Sequence, residues 1–350
     1  MHNLQLNEDQ TLIVETVRKF VLDSVAPVAQ ERDEHRAFLR DELAGLAELG
    51  LFGLPIAEAH GGAGMGLVPM AAACEELGAH SGSLARLLTA QVQCAAALAA
   101  AGGGPLDEVL AGATLAAWIG LEHGVAFAGG KLTGSAELVP GAGEAALLVV
   151  AARDGDAVTL VTVDAGAAER APLRALGFAS TAPARVTFAD TAATALANGD
   201  VAAAAAAQAD LIAWIAGAAA CVGMGRSAIE LAHKHAGERV AFGKPLMRQQ
   251  AVGRKLVESR RAIDGARHLV YHAARLRDLG EDARGAALAA RIAAVDACVL
   301  AADEGIQIHG GFGYTVEYHV ERHYRDAKTT EVLDGGNERC REQLAELQFS

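Results

Sequence analysis

The 350 residues predict a mainly α protein with a small β domain set between two helical regions. Three observations lead there. Hydrophobic residues make up 52% of the chain but aromatics only 4%, so the core must be built of Ala, Leu and Val. Such small side chains suit helix packed on helix better than a large sheet. Apolar residues recur at helical spacing over both ends of the chain. Between Leu115 and Phe188 that spacing gives way to short β-branched runs broken by turns. The expected division is an N-terminal helical domain over residues 1–112, a middle β domain over 113–198 and a C-terminal four-helix bundle over 199–350.

The elements follow in order. Asn7 can cap a first helix with Asp9 and Gln10 in its opening turn, and Leu12, Ile13, Val17, Phe20 and Val21 form its apolar stripe. Pro27 breaks that pattern. An amphipathic segment runs from Phe38 to Leu49 and stops at Gly50, a natural C-cap. After the Gly-rich loop His60–Gly66 a helix starts near Val68 and carries Glu75 and Glu76; another, over Ala95–Ala101, ends at Gly102-Gly103-Gly104. Leu147–Val150 and Val158–Val163, joined through Asp154-Gly155-Asp156, predict a hairpin, and Arg185–Phe188 a further strand. Residues 191–207, rich in Ala, read as a flexible entry to the last domain. Helices are expected over 210–236, 245–279, 282–308 and 336–347.

Charge and composition exclude several functions. A net charge of −13 argues against nucleic-acid binding, which needs clustered cations. An anionic ligand would need a local basic site, and Arg and Lys gather after about residue 226. The five cysteines (Cys74, Cys94, Cys221, Cys298, Cys340) form no CxxC pair, so buried thiols in a reducing compartment are expected. Met1–Leu4 lack a basic region followed by an apolar run, so no signal peptide and a cytoplasmic location are expected. The apolar stretch Val201–Gly225 is interrupted by Gln208 and Asp210, which favours a buried helix over a membrane span.

Two lesser patterns are set aside. Gly223-Met224-Gly225-Arg226-Ser227-Ala228 matches GxGxxA but lies inside a helix instead of following a strand, so close helix packing is expected there. His268/His272 and His319/His323 have i,i+4 spacing, yet no third ligand is evident, and no metal site is expected.

Two stretches point to a cofactor. One is Arg239-Val-Ala-Phe242-Gly243-Lys244-Pro245-Leu246, followed by Gln250. The other is Gln307-Ile-His-Gly310-Gly311-Phe312-Gly313-Tyr314-Thr315, followed by Glu321–Lys328 and Leu333-Asp334-Gly335-Gly336. An Arg with a nearby aromatic, facing Gly-rich backbone that allows close approach, suits a pyrophosphate and a flat ring. Together with Glu48–Pro55, His60–Gly64 and Glu75-Glu76-Leu77-Gly78, these motifs resemble the acyl-CoA dehydrogenase family over nearly the whole chain.

The resemblance implies FAD, lying partly across a subunit interface. Arg239, Phe242, Gln250, Gln307, Gly310 and Gly311 would hold its adenine-diphosphate portion, bound mainly by a neighbouring subunit. It also implies α,β-dehydrogenation of an acyl-CoA thioester. A carboxylate takes the α proton, the β hydrogen leaves as hydride, and an electron-acceptor flavoprotein is a partner. The family's usual base is a Glu before Gly-Thr; here Asp334 stands before Gly335-Gly336, with about 1.5 Å less reach. Relatives that place a Glu on the first bundle helix have Ala213 as the matching position here, so that alternative is absent. Where the family carries a Trp-Ile-Thr-like strand against the flavin, Leu138-Val139-Pro140 stand, and Pro140 offers neither hydroxyl nor N–H. Short members of this kind resemble subunits of actinobacterial heteromeric (α2β2) steroid acyl-CoA dehydrogenases. The resemblance leaves three readings: a catalytic subunit paired with a larger paralogue or with itself, a silent partner that completes the other subunit's FAD site, or a flavin oxidase, since Asp also fills this position in nitroalkane-oxidising relatives.

Overall fold

The computed structural model describes residues 6–349; Met1–Leu4, read above for a leader, lie outside them. Six helices come first: α1 (Glu8–Phe20), α2 (Ala29–Glu34), α3 (Arg40–Glu48), α4 (Leu67–His80), α5 (Gly82–Ala101) and α6 (Leu106–Leu110). Asn7 caps α1 in a full capping box with Gln10. Gly50 ends α3 in the left-handed region, φ 73°, where a side chain would be strained.

Strands β1 (Ala116–Ile119), β2 (Ala126–Ala128), β3 (Lys131–Val139), β4 (Leu147–Asp154), β5 (Ala157–Asp164), β6 (Glu169–Pro172), β7 (Ala184–Ala192) and β8 (Thr194–Asn198) form one sheet. Its order is β6-β7-β3-β2-β4-β5-β8, with β1 parallel to β4. β4 and β5 pair over their whole length, from Leu147 opposite Asp164 to Asp154 opposite Ala157, which is the expected hairpin. Residues 191–207, however, are not a flexible entry. They complete β7, form β8 and open helix α7, because Ala has the highest helix propensity and Ala202, Ala205 and Ala206 are buried.

The last region holds α7 (Gly199–Glu238), the two-residue strands β9 (Val240–Ala241) and β10 (Lys244–Pro245), then α8 (Gln250–Asp278), α9 (Arg284–His309), α10 (Val320–Thr330) and α11 (Gly336–Phe349). Sequence reading missed α10, whose mixed charges conceal a strong apolar-against-polar division of its faces. Three stretches, α5, α7 and Arg284–Tyr314, are long and apolar enough to cross a membrane by length and composition. In an apolar 18-residue segment of each, more than half is buried (83%, 72% and 56%), so the apolar side chains there are largely spent on one another and on neighbouring elements.

The GxGxxA pattern does sit inside α7 and serves packing. A Cβ on Gly223 would lie 2.0 Å from the Glu75 carbonyl oxygen, and one on Gly78 would lie 2.3 Å from that of Ala220. The two glycines let α4 and α7 cross at backbone contact. Beside the crossing, Glu75 accepts from Arg226 Nη1 (2.9 Å), Arg267 Nε (2.8 Å) and the Tyr271 hydroxyl (2.9 Å), a buried anion with its charge matched. Among the described residues the five cysteines are free and buried, and no group of His, Cys, Asp or Glu could hold a metal ion.

The β domain is pinned to α10 through Asp326, which is 1% exposed and accepts from the Phe178 backbone N–H at 2.5 Å. Burial, then the Asp33 carboxylate, pushes the Asp326 pKa up to about 7, although the Phe178 N–H, Arg325 and Arg322 pull the other way. A carboxyl raised in this way stabilises the fold while protonated. Its contribution is fully present below the ordinary carboxylate range and is lost as pH rises through about 7. Asp326→Asn keeps the acceptor oxygen and removes the charge. It should raise the melting temperature more at pH 8 than at pH 5, measured by calorimetry; an equal shift at both would show that the charge carries no cost.

Candidate active site

Asp334 lies in the turn between α10 and α11. Its backbone is left-handed, φ 52°, and Gly335 and Gly336 follow at 84° and 82°. This sharp reversal turns the carboxylate towards α5 and α9, where two arginines receive it. Arg86 on α5 donates from Nη1 to Oδ2 at 2.9 Å and from Nη2 to Oδ1 at 2.8 Å, a bidentate pair. Arg291 on α9, fully buried, donates from Nη1 to Oδ2 at 3.4 Å and from Nη2 to the carbonyls of Thr330 (2.9 Å) and Leu333 (2.6 Å). Burial alone would raise the Asp334 pKa, but Arg86, Arg291 and His123 together outweigh it and hold the carboxyl below its ordinary value. The sequence had left this carboxylate without partners.

Three cavities border Asp334. The largest, about 530 Å³, lies between the first half of α7, the α8–α9 turn and α11. The second, about 420 Å³, is walled by Trp118, Leu138, Val139 and Pro140, with Glu122 and Glu137 facing it. The third lies in the interior among Arg86, Thr89, Gly217, Ala220 and Met224, and holds only about 20 Å³. That is room for one water at most. Ala213 is fully buried in α7 and supplies no chemistry.

The six residues assigned to the adenine-diphosphate portion lie elsewhere. Arg239, Phe242 and Gln250 sit on and around the β9–β10 hairpin, and Gln307, Gly310 and Gly311 at the C-terminal end of α9. All six are exposed; Phe242 is 96% exposed with φ 53°. Gln307 Nε2 donates to the Tyr314 hydroxyl at 2.7 Å. Arg291 and Gln307 share α9 sixteen residues apart, which at 1.5 Å per residue separates the two sets by about 24 Å along the helix. A Cβ at Gly310 or Gly311 would meet nothing within 4 Å, so this face is open to close approach.

The acyl-CoA dehydrogenase N-terminal domain matches residues 7–105 and the C-terminal domain residues 212–348. The probable acyl-CoA dehydrogenase YngJ of Bacillus subtilis is 30% identical, the alignment covering 96% of this chain and 97% of that one. This chain belongs to the acyl-CoA dehydrogenase family.

Other members match in part. An acyl-CoA dehydrogenase of Bacillus subtilis is 43% identical over 121 residues, 35% of this chain and 32% of the relative. Among solved structures, butyryl-CoA dehydrogenase from Megasphaera elsdenii superposes with a TM-score of 0.91 at 25% identity, covering 99% of this chain and all of that one. A structure described as the electron transferring flavoprotein of Acidaminococcus fermentans gives 0.91 at 26% identity, with the same coverage. The fold is therefore that of the acyl-CoA dehydrogenases, and FAD is the family's cofactor. The residues present fit that group in two places. Arg239, Gln250, Gln307 and open glycine backbone would supply donors to a pyrophosphate and adenine, and the second cavity would offer a planar ring one apolar side of Trp118, Val139 and Pro140 opposite the charged Arg86, Glu122, His123, Glu137 and Arg339.

Sequence reasoning missed Arg86 and Arg291. A signal was present: Arg86 is the only charged residue of α5, and a lone charge in an otherwise apolar helix implies a buried partner.

Proposed function

We propose that this chain is a cytoplasmic subunit of an FAD-dependent acyl-CoA dehydrogenase, working on an acyl-CoA thioester within a hetero-oligomer. The observation that carries the reading is the separation of its two half-sites. Asp334 borders three cavities at one end of α9, and the six cofactor-facing residues stand exposed at the other. A left-handed, almost fully exposed Phe242 is strained and wastes apolar surface unless a second subunit and its cofactor cover it. Bound FAD would supply the acceptor for the β hydrogen as hydride, with an electron-transferring flavoprotein downstream; Asp334 takes the α proton. The resemblance to short members of the family extends the proposal to heteromeric assemblies of the steroid acyl-CoA class.

The test is to purify the chain alone and with a larger paralogue and to record flavin absorbance. Alone it should be flavin-poor, and the partner should restore the flavin; a yellow homo-oligomer with full activity would overturn the hetero-oligomer. Arg239→Ala should lower flavin occupancy of the assembly by about tenfold through loss of a charge-assisted contact, and unchanged occupancy would remove Arg239 from the cofactor.

One observation favours a second reading, the silent partner. Arg86 holds Asp334 in a bidentate ion pair, and the interior cavity the two share measures only about 20 Å³. Asp334→Asn in the complete assembly separates the two.

A further inference from the structure

A cavity of about 330 Å³ opens where the end of α4, the C-terminal part of α7 and the start of α10 meet. It shares no residue with the three cavities that border Asp334 or with the six cofactor-facing positions. Its wall is rich in donors and poor in acceptors. Ser227, Glu230 and Lys234 face it from α7 at i, i+3 and i+7, His80 ends α4, and His319, Arg322 and His323 come from the start of α10. Glu230 is the one carboxylate among the residues that line it.

Arg322 is 7% exposed and forms no ion pair among the described residues. Its Nη2 donates to the His80 carbonyl at 2.9 Å, whereas Nε and Nη1 are buried without a partner. That carbonyl stands at the C-terminal end of α4, where a helix presents about half a negative charge, so the guanidinium is only partly compensated. The carboxylates whose field reaches it are committed elsewhere. Asp33 and Glu321 both pair with Arg325, at 2.5 and 2.6 Å, and Asp326 receives the Phe178 N–H. Glu76, near His80, pairs with Arg18 and Arg226.

His323, 1% exposed, meets the Ser227 hydroxyl through Nε2 at 3.0 Å, and its Nδ1 has no partner. Burial holds its pKa well below the ordinary histidine value, so the ring is uncharged. If Nε2 accepts from Ser227, the Nδ1–H is left over; if Nε2 donates, the Ser227 O–H is left over. Either way one donor lacks an acceptor. A buried cation without a counter-ion is destabilising, and unsatisfied donors add to the cost.

We propose that this cavity binds a phosphate-class oxyanion, with Arg322 as its buried counter-charge and Lys234, Ser227 and His323 as its donors. The donors converge from two helices, which suits the four oxygens of a tetrahedral anion better than the planar pair of a carboxylate. Ala26, Ala79 and Leu231 complete the wall with apolar surface. The site is independent of the acyl-CoA reading. It ties α4, α7 and α10 together, so its occupancy stabilises the fold.

Calorimetric titration of the full chain with inorganic phosphate, glycerol 3-phosphate and acetate, at constant ionic strength, tests this. Phosphate should bind, and acetate should bind at least about tenfold more weakly. Binding of glycerol 3-phosphate as well would identify a phosphate ester as the occupant, and its exclusion the free anion. Ser227→Ala should weaken phosphate about tenfold. Lys234→Ala, at an exposed position, should weaken it about threefold. Arg322→Gln keeps a donor for the His80 carbonyl and loses the charge; it should abolish binding. Phosphate should also raise the melting temperature of wild type and leave that of Arg322→Gln unchanged. Should Arg322→Gln fail to fold, the two milder variants decide. An affinity unchanged in both Ser227→Ala and Lys234→Ala, acetate bound as tightly as phosphate, or no phosphate bound by wild type would overturn the site. Arg322 would then be balanced from within, by Asp33 and Asp326.

Discussion

Asp334→Asn, made in the complete assembly, should cut turnover by roughly 10²–10⁴-fold, the usual loss when a general base is removed. It should also destabilise the chain. Arg86 and Arg291 would remain buried with no anion between them, and removing one partner of a buried ion pair costs about 3–5 kcal/mol. The two effects need separate readouts: stopped-flow flavin reduction for the chemistry and thermal unfolding for the packing. Arg86→Met is the informative second variant, since it fills the same space and releases Asp334 from its bidentate partner. With Asp334 as the base, that release should raise its pKa and move the acid limb of the pH–rate profile upward. The pair's contribution to stability has the usual carboxylate sign: a pKa held low in the fold stabilises at neutral pH, and the gain is lost as pH falls below the ordinary carboxylate range. Wild-type turnover in a folded Asp334→Asn assembly would instead assign catalysis to the partner and leave this chain the silent subunit.

Gly223→Ala should lower the melting temperature by several degrees, against the usual trend for a glycine inside a helix. Ala is favoured over Gly by about 1 kcal/mol in a helix interior. Here the added Cβ would stand 2.0 Å from the Glu75 oxygen and 2.8 Å from the Ala79 nitrogen, both backbone atoms of α4 that no rotamer change can clear. Moving α4 away costs about 1–3 kcal/mol or more and loosens the Glu75 site that Arg226, Arg267 and Tyr271 share. The clash outweighs the propensity. Gly265→Ala is the control, because its Cβ meets nothing within 4 Å, and it should be neutral or slightly stabilising. Equal stability of the two variants would show that the α4–α7 crossing is not tight.

The motifs of the sequence were legible because each is local. Asn7 with Gln10 in a capping box, Gly50 after α3 and the turn between β4 and β5 are decided within a few residues, so spacing and residue type suffice. α10 escaped because its polar face dominates its composition. The Ala-rich residues 191–207 were misjudged because Ala is neutral in any apolar pattern, and packing against the rest of the protein decided their structure.

The sequence by itself determined the helical and β regions, the glycines reserved for close approach, and the ordered set of motifs that marks the family. Only the tertiary structure decided the state of each carboxyl. Asp334 meets Arg86 across 248 positions of chain, and Glu75 meets Tyr271 across 196. Asp210, in the same cavity as Asp334, meets no partner among the described residues. Charge energies depend on separation through space and on exclusion of water, and neither can be read along a chain until its helices have packed.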